Sequence, residues 1–149
     1  MDCTIKVKRL DPAAQLPLRA TAGSAGADLF ALCPPEGILL PAHGRAVIPT
    51  GIAIELPGPE VVALVFGRSG LGIKKGITLS NAVGVIDSDY RGELMVGLIN
   101  HSDEDYKVEN GERIAQLLIL PVAAAQFVPA ESLSDTARGT AGFGSTGRQ

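Results

Sequence analysis

Ile77-Thr-Leu-Ser-Asn-Ala-Val-Gly-Val-Ile-Asp-Ser-Asp-Tyr-Arg-Gly-Glu-Leu-Met-Val-Gly-Leu-Ile-Asn100 is the stretch that decides the fold class. Its apolar runs, Ile77–Leu79, Val83–Ile86 and Glu93–Asn100, are too short for multi-turn helices and rich in Val, Ile and Leu. Asn81 sits between the first two runs, and a polar turn precedes the third, an arrangement that predicts a hairpin.

The same grammar runs outward in both directions. Thr4–Leu10 alternates, with Ile5 and Val7 opposed to Lys6 and Lys8, as a half-buried strand does. Residues 22–32 carry small side chains around Asp28, and Pro34–Gly37 is a turn. Arg45–Ile48, Gly51–Leu56, Glu60–Phe66, Tyr106–Val108, Arg113–Leu120 and Gln126–Val128 complete a series of short strands. Only 69–75 and 130–137 suit a helical turn. Eighteen Gly and ten Pro among such runs favour turns over helices. The expected fold is therefore all-β, a sandwich, barrel or jelly roll of many short strands. Aromatics make up only 4% of the chain and Trp is absent, so the core is expected to be aliphatic.

Composition also narrows function. A net charge of −3 gives no support for binding a nucleic-acid polymer, although a single nucleotide needs only local positive charge. No apolar run approaches a membrane span, and the N-terminus lacks a signal-peptide core. Cys3 and Cys33 have no metal or redox spacing and suit a reducing compartment; a cytoplasmic protein is expected. His43 and His101 form no ligand pattern.

Four internal stretches can carry chemistry, each with a plain alternative. Asp87 leaves an apolar strand at a polar turn, where a carboxylate can orient and deprotonate water; Tyr90 offers a ring face to a sugar. The same residues also suit an ordinary turn. Gly67-Arg-Ser-Gly-Leu-Gly72 offers backbone N–H groups, the Arg68 guanidinium and the Ser69 hydroxyl to phosphate, or is a turn with a surface Arg. Asp28 stands among small residues, able to hold a metal-bound water, anchor an Arg or close an Asx turn. Gln116 puts an amide inside an apolar strand, where it needs a partner, either substrate or backbone.

The polar tail, Asp135–Gln149, mixes glycines, hydroxyls, Arg138 and Arg148 around one aromatic, Phe143. Such a segment suits either a mobile terminus or a lid that grips phosphates while Phe143 stacks on a base. Gly142–Gly147 matches G-x-G-x-x-G formally, but no helix or acid can follow before the chain stops, so the dinucleotide reading fails.

Five of these stretches, in this order, resemble the motifs of the homotrimeric deoxyuridine triphosphatase (dUTPase) family: Ala25–Ala31, Gly67–Gly76, Gly84–Glu93, Gly111–Leu117 and Arg138–Arg148. Gly67 departs from the proline often found there, which alters loop stiffness and touches no reacting group. The resemblance implies a jelly-roll-like domain over 1–134 with a flexible lid over 135–149. It also implies a homotrimer with shared active sites, Mg²⁺ as cofactor, and hydrolysis of dUTP to dUMP and pyrophosphate. Such an activity limits uracil incorporation into DNA and supplies dUMP for thymidylate synthesis.

By that resemblance Asp87 orients the attacking water and contacts the sugar 3′-hydroxyl, and Tyr90 packs under the deoxyribose. Asn81 and the backbone of Gly84, Val85, Ile86 and Met95 line a uracil slot. Arg68, Ser69, Gly70 and Gln116 hold the phosphate chain, and Asp28 acts through metal-bound water. In the tail Phe143 covers the uracil, Arg138, Ser145 and Thr146 reach the phosphates, and Gly144 belongs to the substrate-binding set. A dCTP deaminase of the same fold, a nucleotide-binding regulator and a structural β-domain are the competing readings. The Asp87–Tyr90 pair and the aromatic tail favour the diphosphatase.

Overall fold

A computed structural model describes residues 3–142. In strand β1 (Lys6–Arg9) Val7 turns inward while both lysines face solvent, and the strand pairs antiparallel with β5 (Ile52–Glu55) in the register Val7↔Ile54. Alternation is clearest in β6 (Val61–Gly67), where Val61, Ala63 and Val65 are buried and the residues between them are half-covered. That strand is central to a four-stranded antiparallel sheet in the order β2 (Ala27–Phe30), β11 (Arg113–Pro121), β6, β8 (Gly84–Ile86). A second sheet runs β4 (Arg45–Pro49), β9 (Met95–Asn100), β7 (Ile77–Leu79), and β3 (Ile38–Leu40) pairs with β10 (Tyr106–Val108). The result is the expected all-β, jelly-roll-like fold.

The inward faces of these sheets meet in one core, including Leu29, Leu40, Ile48, Ile52, Ile77, Leu98 and Ile114. No aromatic is among its fully buried members, as the composition predicts. Burying each such aliphatic side chain contributes about 1.5–3 kcal/mol. One buried amide interrupts the apolar interior without cost: Asn100 Nδ2 donates to the carbonyls of Leu40 and Glu104, and its Oδ1 accepts from the Ser102 N–H and hydroxyl.

The single described helix, α1 (Ser69–Lys75), has only Leu71 buried. It stops at Gly76, whose φ of 68° is left-handed and whose N–H reaches back to the Gly72 carbonyl. Lys74 and Lys75 complement the negative helix end. No helix among the described residues is long and apolar enough to cross a membrane.

Three local expectations are corrected. The Ile77–Asn100 stretch is not a simple hairpin: β7 pairs with β9, but β8 between them crosses to β6. Ala82, at φ 63°, turns the chain away. Gly84 then packs so closely that a Cβ there would lie 3.1 Å from Val65 Cβ. β3 is an additional strand, because three residues give too short a run to show a period in sequence; its pairing partner β10 makes it a strand. Gln126–Val128 forms no strand. Phe127 and Val128 are exposed, and among the described residues no sheet edge meets them.

Candidate active site

Asp28 is buried on β2, with charged partners on both sides. Arg68, just past the end of β6, donates from Nε to Oδ1 at 3.1 Å, and Arg113 donates from Nη1 to Oδ2 at 3.2 Å. Arg68 Nη1 also donates to the Arg113 carbonyl at 3.1 Å. The pairing offsets the desolvation of the carboxylate. One carboxylate faces two guanidinium groups, so the cluster keeps an excess of positive charge suited to an anion.

Arg113 joins this cluster although its sequence position does not point to it, and the reason is local. Arg113 and Gln116 have opposite parity and in a regular strand point to opposite faces. A register shift between Arg113 and Ala115 changes that, so that Arg113 opposes Phe30 while Gln116 opposes Asp28. Phe30 and Asp28 share a face, and the bulge therefore brings both polar residues of β11 to the Asp28 side. A buried acid lacking a nearby cation in sequence is the one available clue. Gln116 and Asp28, with Ser24, Ala25 and Gly26, line a cavity of about 260 Å³. Gly26 leaves little spare room there, since a Cβ would lie 3.0 Å from Leu118 Cδ1.

A second cavity, about 250 Å³, is lined by Val85, Ile86, Asp87, Tyr90, Glu93, Leu94 and Met95. Asp87 is exposed at the end of β8 and opens the turn, its carbonyl accepting the Tyr90 N–H at 3.2 Å. The Tyr90 hydroxyl donates to the Glu93 carbonyl at 3.1 Å, which sets the ring over Gly92. β8 is an edge strand, so its outer backbone groups remain open to a ligand. Asn81 lies beside Gly84, its Nδ2 being 3.8 Å from where a Gly84 Cβ would stand.

No residue lines both cavities. β2 and β8 are opposite edges of the four-stranded sheet, three strand spacings or roughly 14 Å apart. One chain thus brings Asp28, Arg68 and Gln116 together, and separately Asp87, Tyr90, Val85, Ile86 and Met95. Ser69 and Gly70 are exposed at the start of α1. Arg138 is exposed in a turn, with Nε donating to the Ala141 carbonyl at 2.9 Å. Phe143, Gly144, Ser145 and Thr146 lie outside the described residues.

The dUTPase family model matches residues 13–147. The chain belongs to the dUTPase family. It is 52% identical to the deoxyuridine 5′-triphosphate nucleotidohydrolase of Desulfitobacterium hafniense strain DSM 10664 / DCB-2, covering 97% of each chain. It is 51% identical to that of Albidiferax ferrireducens, again over 97% of each. Among solved structures, the Staphylococcus bacteriophage 80alpha dUTPase with dUpNHpp superposes with a TM-score of 0.86 at 31% identity, over 97% of this chain and 98% of that one. A mutant dUTPase of S. aureus phage phi11, described with a structural Mg(II) ion, gives 0.78 at 25% identity, over 89% and 99%.

Proposed function

We propose that the protein hydrolyses dUTP to dUMP and pyrophosphate, in sites shared between the subunits of a homotrimer. The observation that carries this reading is the second cavity: an exposed carboxylate, a fixed aromatic ring and an open strand edge converge there. A β edge presents N–H and C=O groups in one plane, and uracil needs such a partner for its own donor and acceptors. Gly84, Val85, Ile86 and Met95, with the Asn81 amide, would read the base and leave no room for the thymine methyl. Tyr90 would pack under the deoxyribose.

Asp87 would accept a proton from water as its oxygen bonds to the α-phosphorus. The bond from that phosphorus to the bridging oxygen breaks, and pyrophosphate leaves. Positioning and charge neutralisation supply most of such a barrier's lowering. Arg68, Ser69, Gly70 and Gln116 would hold the phosphate chain.

Among the described residues no group of three or more carboxylate, His or Cys side chains stands ready to cage a metal. Both Asp28 oxygens already accept from arginines. That donor set fits magnesium only as a hydrated ion carried on substrate phosphates, with Asp28 accepting from a bound water. Bound so, Mg²⁺ would neutralise phosphate charge.

Separation of the half-sites favours assembly, because a second copy can set one half against the other. The exposed run after β11 favours it too: Phe127, Val128 and Leu133 are 95%, 77% and 88% exposed and find no cover among the described residues. In this reading residues 135–149 are the lid, with Phe143 over the base, Arg138, Ser145 and Thr146 at the phosphates, and Gly144 in contact with substrate. A cytoplasmic location accords with the unpaired Cys3 and Cys33.

A nucleotide panel with pyrophosphate detection tests the proposal. dUTP should react, and dTTP, dCTP and UTP should be much slower. Asp87→Asn should bind dUTP yet turn it over very slowly. Wild-type turnover in that variant, or ammonia release from dCTP, would sink the assignment.

A further inference from the structure

The Tyr90 ring is held by a relay that ends in the core. Its hydroxyl donates to the Glu93 carbonyl, and Glu93 Oε1 accepts the Gly51 N–H at 2.8 Å. Gly51 cannot shift easily. Its φ is 69°, and a Cβ there would lie 2.6 Å from Leu32 Cδ2 and 2.8 Å from Ala14 Cβ. Beside it, the buried Thr50 hydroxyl donates to the Leu94 carbonyl, and the Leu94 N–H donates to the Ile52 carbonyl at 2.8 Å. The far end of the Asp87–Leu94 turn is therefore fastened to the β4–β5 corner. Gly92 completes the device, since a Cβ at that position would collide with the Tyr90 hydroxyl.

We propose that Glu93 is a positioning residue that sets discrimination between deoxyribose and ribose, acting through Tyr90. This rests on the reading of Tyr90 as the surface beneath the sugar. A ring that excludes one hydroxyl must not retreat, and the Glu93–Gly51 bond is a charge-assisted link that prevents retreat. Losing it leaves the Glu93 carbonyl tied only through Leu94, whose N–H donates to Ile52, and gives the ring that it holds more room to shift.

The test compares kcat/KM for dUTP and UTP in wild type, Glu93→Ala, Glu93→Gln, Tyr90→Phe and Glu93→Ala/Tyr90→Phe. Amide hydrogen exchange over residues 87–95 is followed in the nucleotide-free proteins. Glu93→Ala should lower the dUTP-to-UTP ratio about tenfold, the effect of one charge-assisted bond. Glu93→Gln should restore most of it, because its amide oxygen still accepts the Gly51 N–H. In the Tyr90→Phe background, Glu93→Ala should change the ratio less than about twofold, since the relay is already cut. Exchange over 87–95 should accelerate in Glu93→Ala but not in Glu93→Gln. Gly92→Ala should relax selectivity with Glu93 intact.

An unchanged ratio and exchange in Glu93→Ala overturns the proposal, as do multiplicative effects in the double variant. A wild-type protein that turns over no dUTP instead defeats the functional reading and the selectivity role together. The exchange data then still decide whether Glu93 holds the turn.

Discussion

Asp28→Asn is the substitution whose cost can be worked from the structure most directly. It keeps the shape of the side chain and removes its charge. One amide oxygen can still accept from Arg68 or Arg113, but the other position becomes an N–H₂ donor facing a guanidinium donor. Hydrogen bonds to charged groups contribute roughly 1.5–3 kcal/mol each, so two give about 3–6 kcal/mol. The arginines soften the loss, because their side chains are 24% and 49% exposed and can turn to water. A destabilisation of about 2–4 kcal/mol is expected. With a urea m-value of about 2 kcal/mol/M, the unfolding midpoint falls by roughly 1–2 M at unchanged slope. Wild type and variant must be compared at one protein concentration, because assembly adds to apparent stability. Arg113→Met in both backgrounds closes a double-mutant cycle, and its cost should be much smaller once Asp28 is gone. A midpoint within about 0.3 M of wild type, or fully additive costs in the cycle, would show that the buried pair holds nothing together.

Gly51→Ala should lower stability by about 2–4 kcal/mol by thermal or urea unfolding, since it combines a left-handed backbone with two close contacts; an unchanged melting temperature refutes the packing described. Gly84→Val should push β8 off β6 and weaken dUTP binding far more than it weakens the fold, as titration calorimetry beside a melting curve would reveal. The Tyr106 hydroxyl donates to Glu112, and burial first, then that carboxylate, push its pKa well above the ordinary value of 10.0. The raised value means that the stabilising contribution is complete below about pH 10 and is lost as pH climbs from there through the folded-state pKa. Tyr106→Phe should flatten the alkaline limb of the stability curve, and parallel limbs for the two proteins would argue against the pair. Deleting residues 138–149 should leave the melting curve and circular dichroism intact, because residues 138–142 are exposed and outside the sheets, while dUTP turnover collapses; retained activity would reduce the tail to a terminus.

Most strands are legible in the sequence because their pattern is local. Lys6–Arg9 alternates in sequence as it does in space, and Val61–Gly67 carries the β-branched run that a central strand requires. The aliphatic core follows from composition, and the candidate nucleotide residues from short motifs whose chemistry needs few neighbours. The tail shows its polar, glycine-rich character for the same reason.

Pairing is not legible, because a strand's partner depends on surfaces made elsewhere in the chain. Nothing local says that Gly84–Ile86 joins Val61–Gly67 and leaves its sequence neighbour at Met95; the left-handed turn at Ala82 and the contact of Gly84 with Val65 decide that. Arg113 escapes notice because an extra residue in β11 inverts the face it occupies. Glu93 looks like one more turn acid until Gly51, forty-two residues earlier, supplies the N–H that gives its carboxylate a role. Sequence by itself determined which residues can do chemistry, since charge, ring and hydroxyl are properties of single side chains. Tertiary structure alone decided which of them lie together, since sheet order puts the Asp28–Arg68–Arg113 cluster and the Asp87–Tyr90 turn on opposite edges of one sheet.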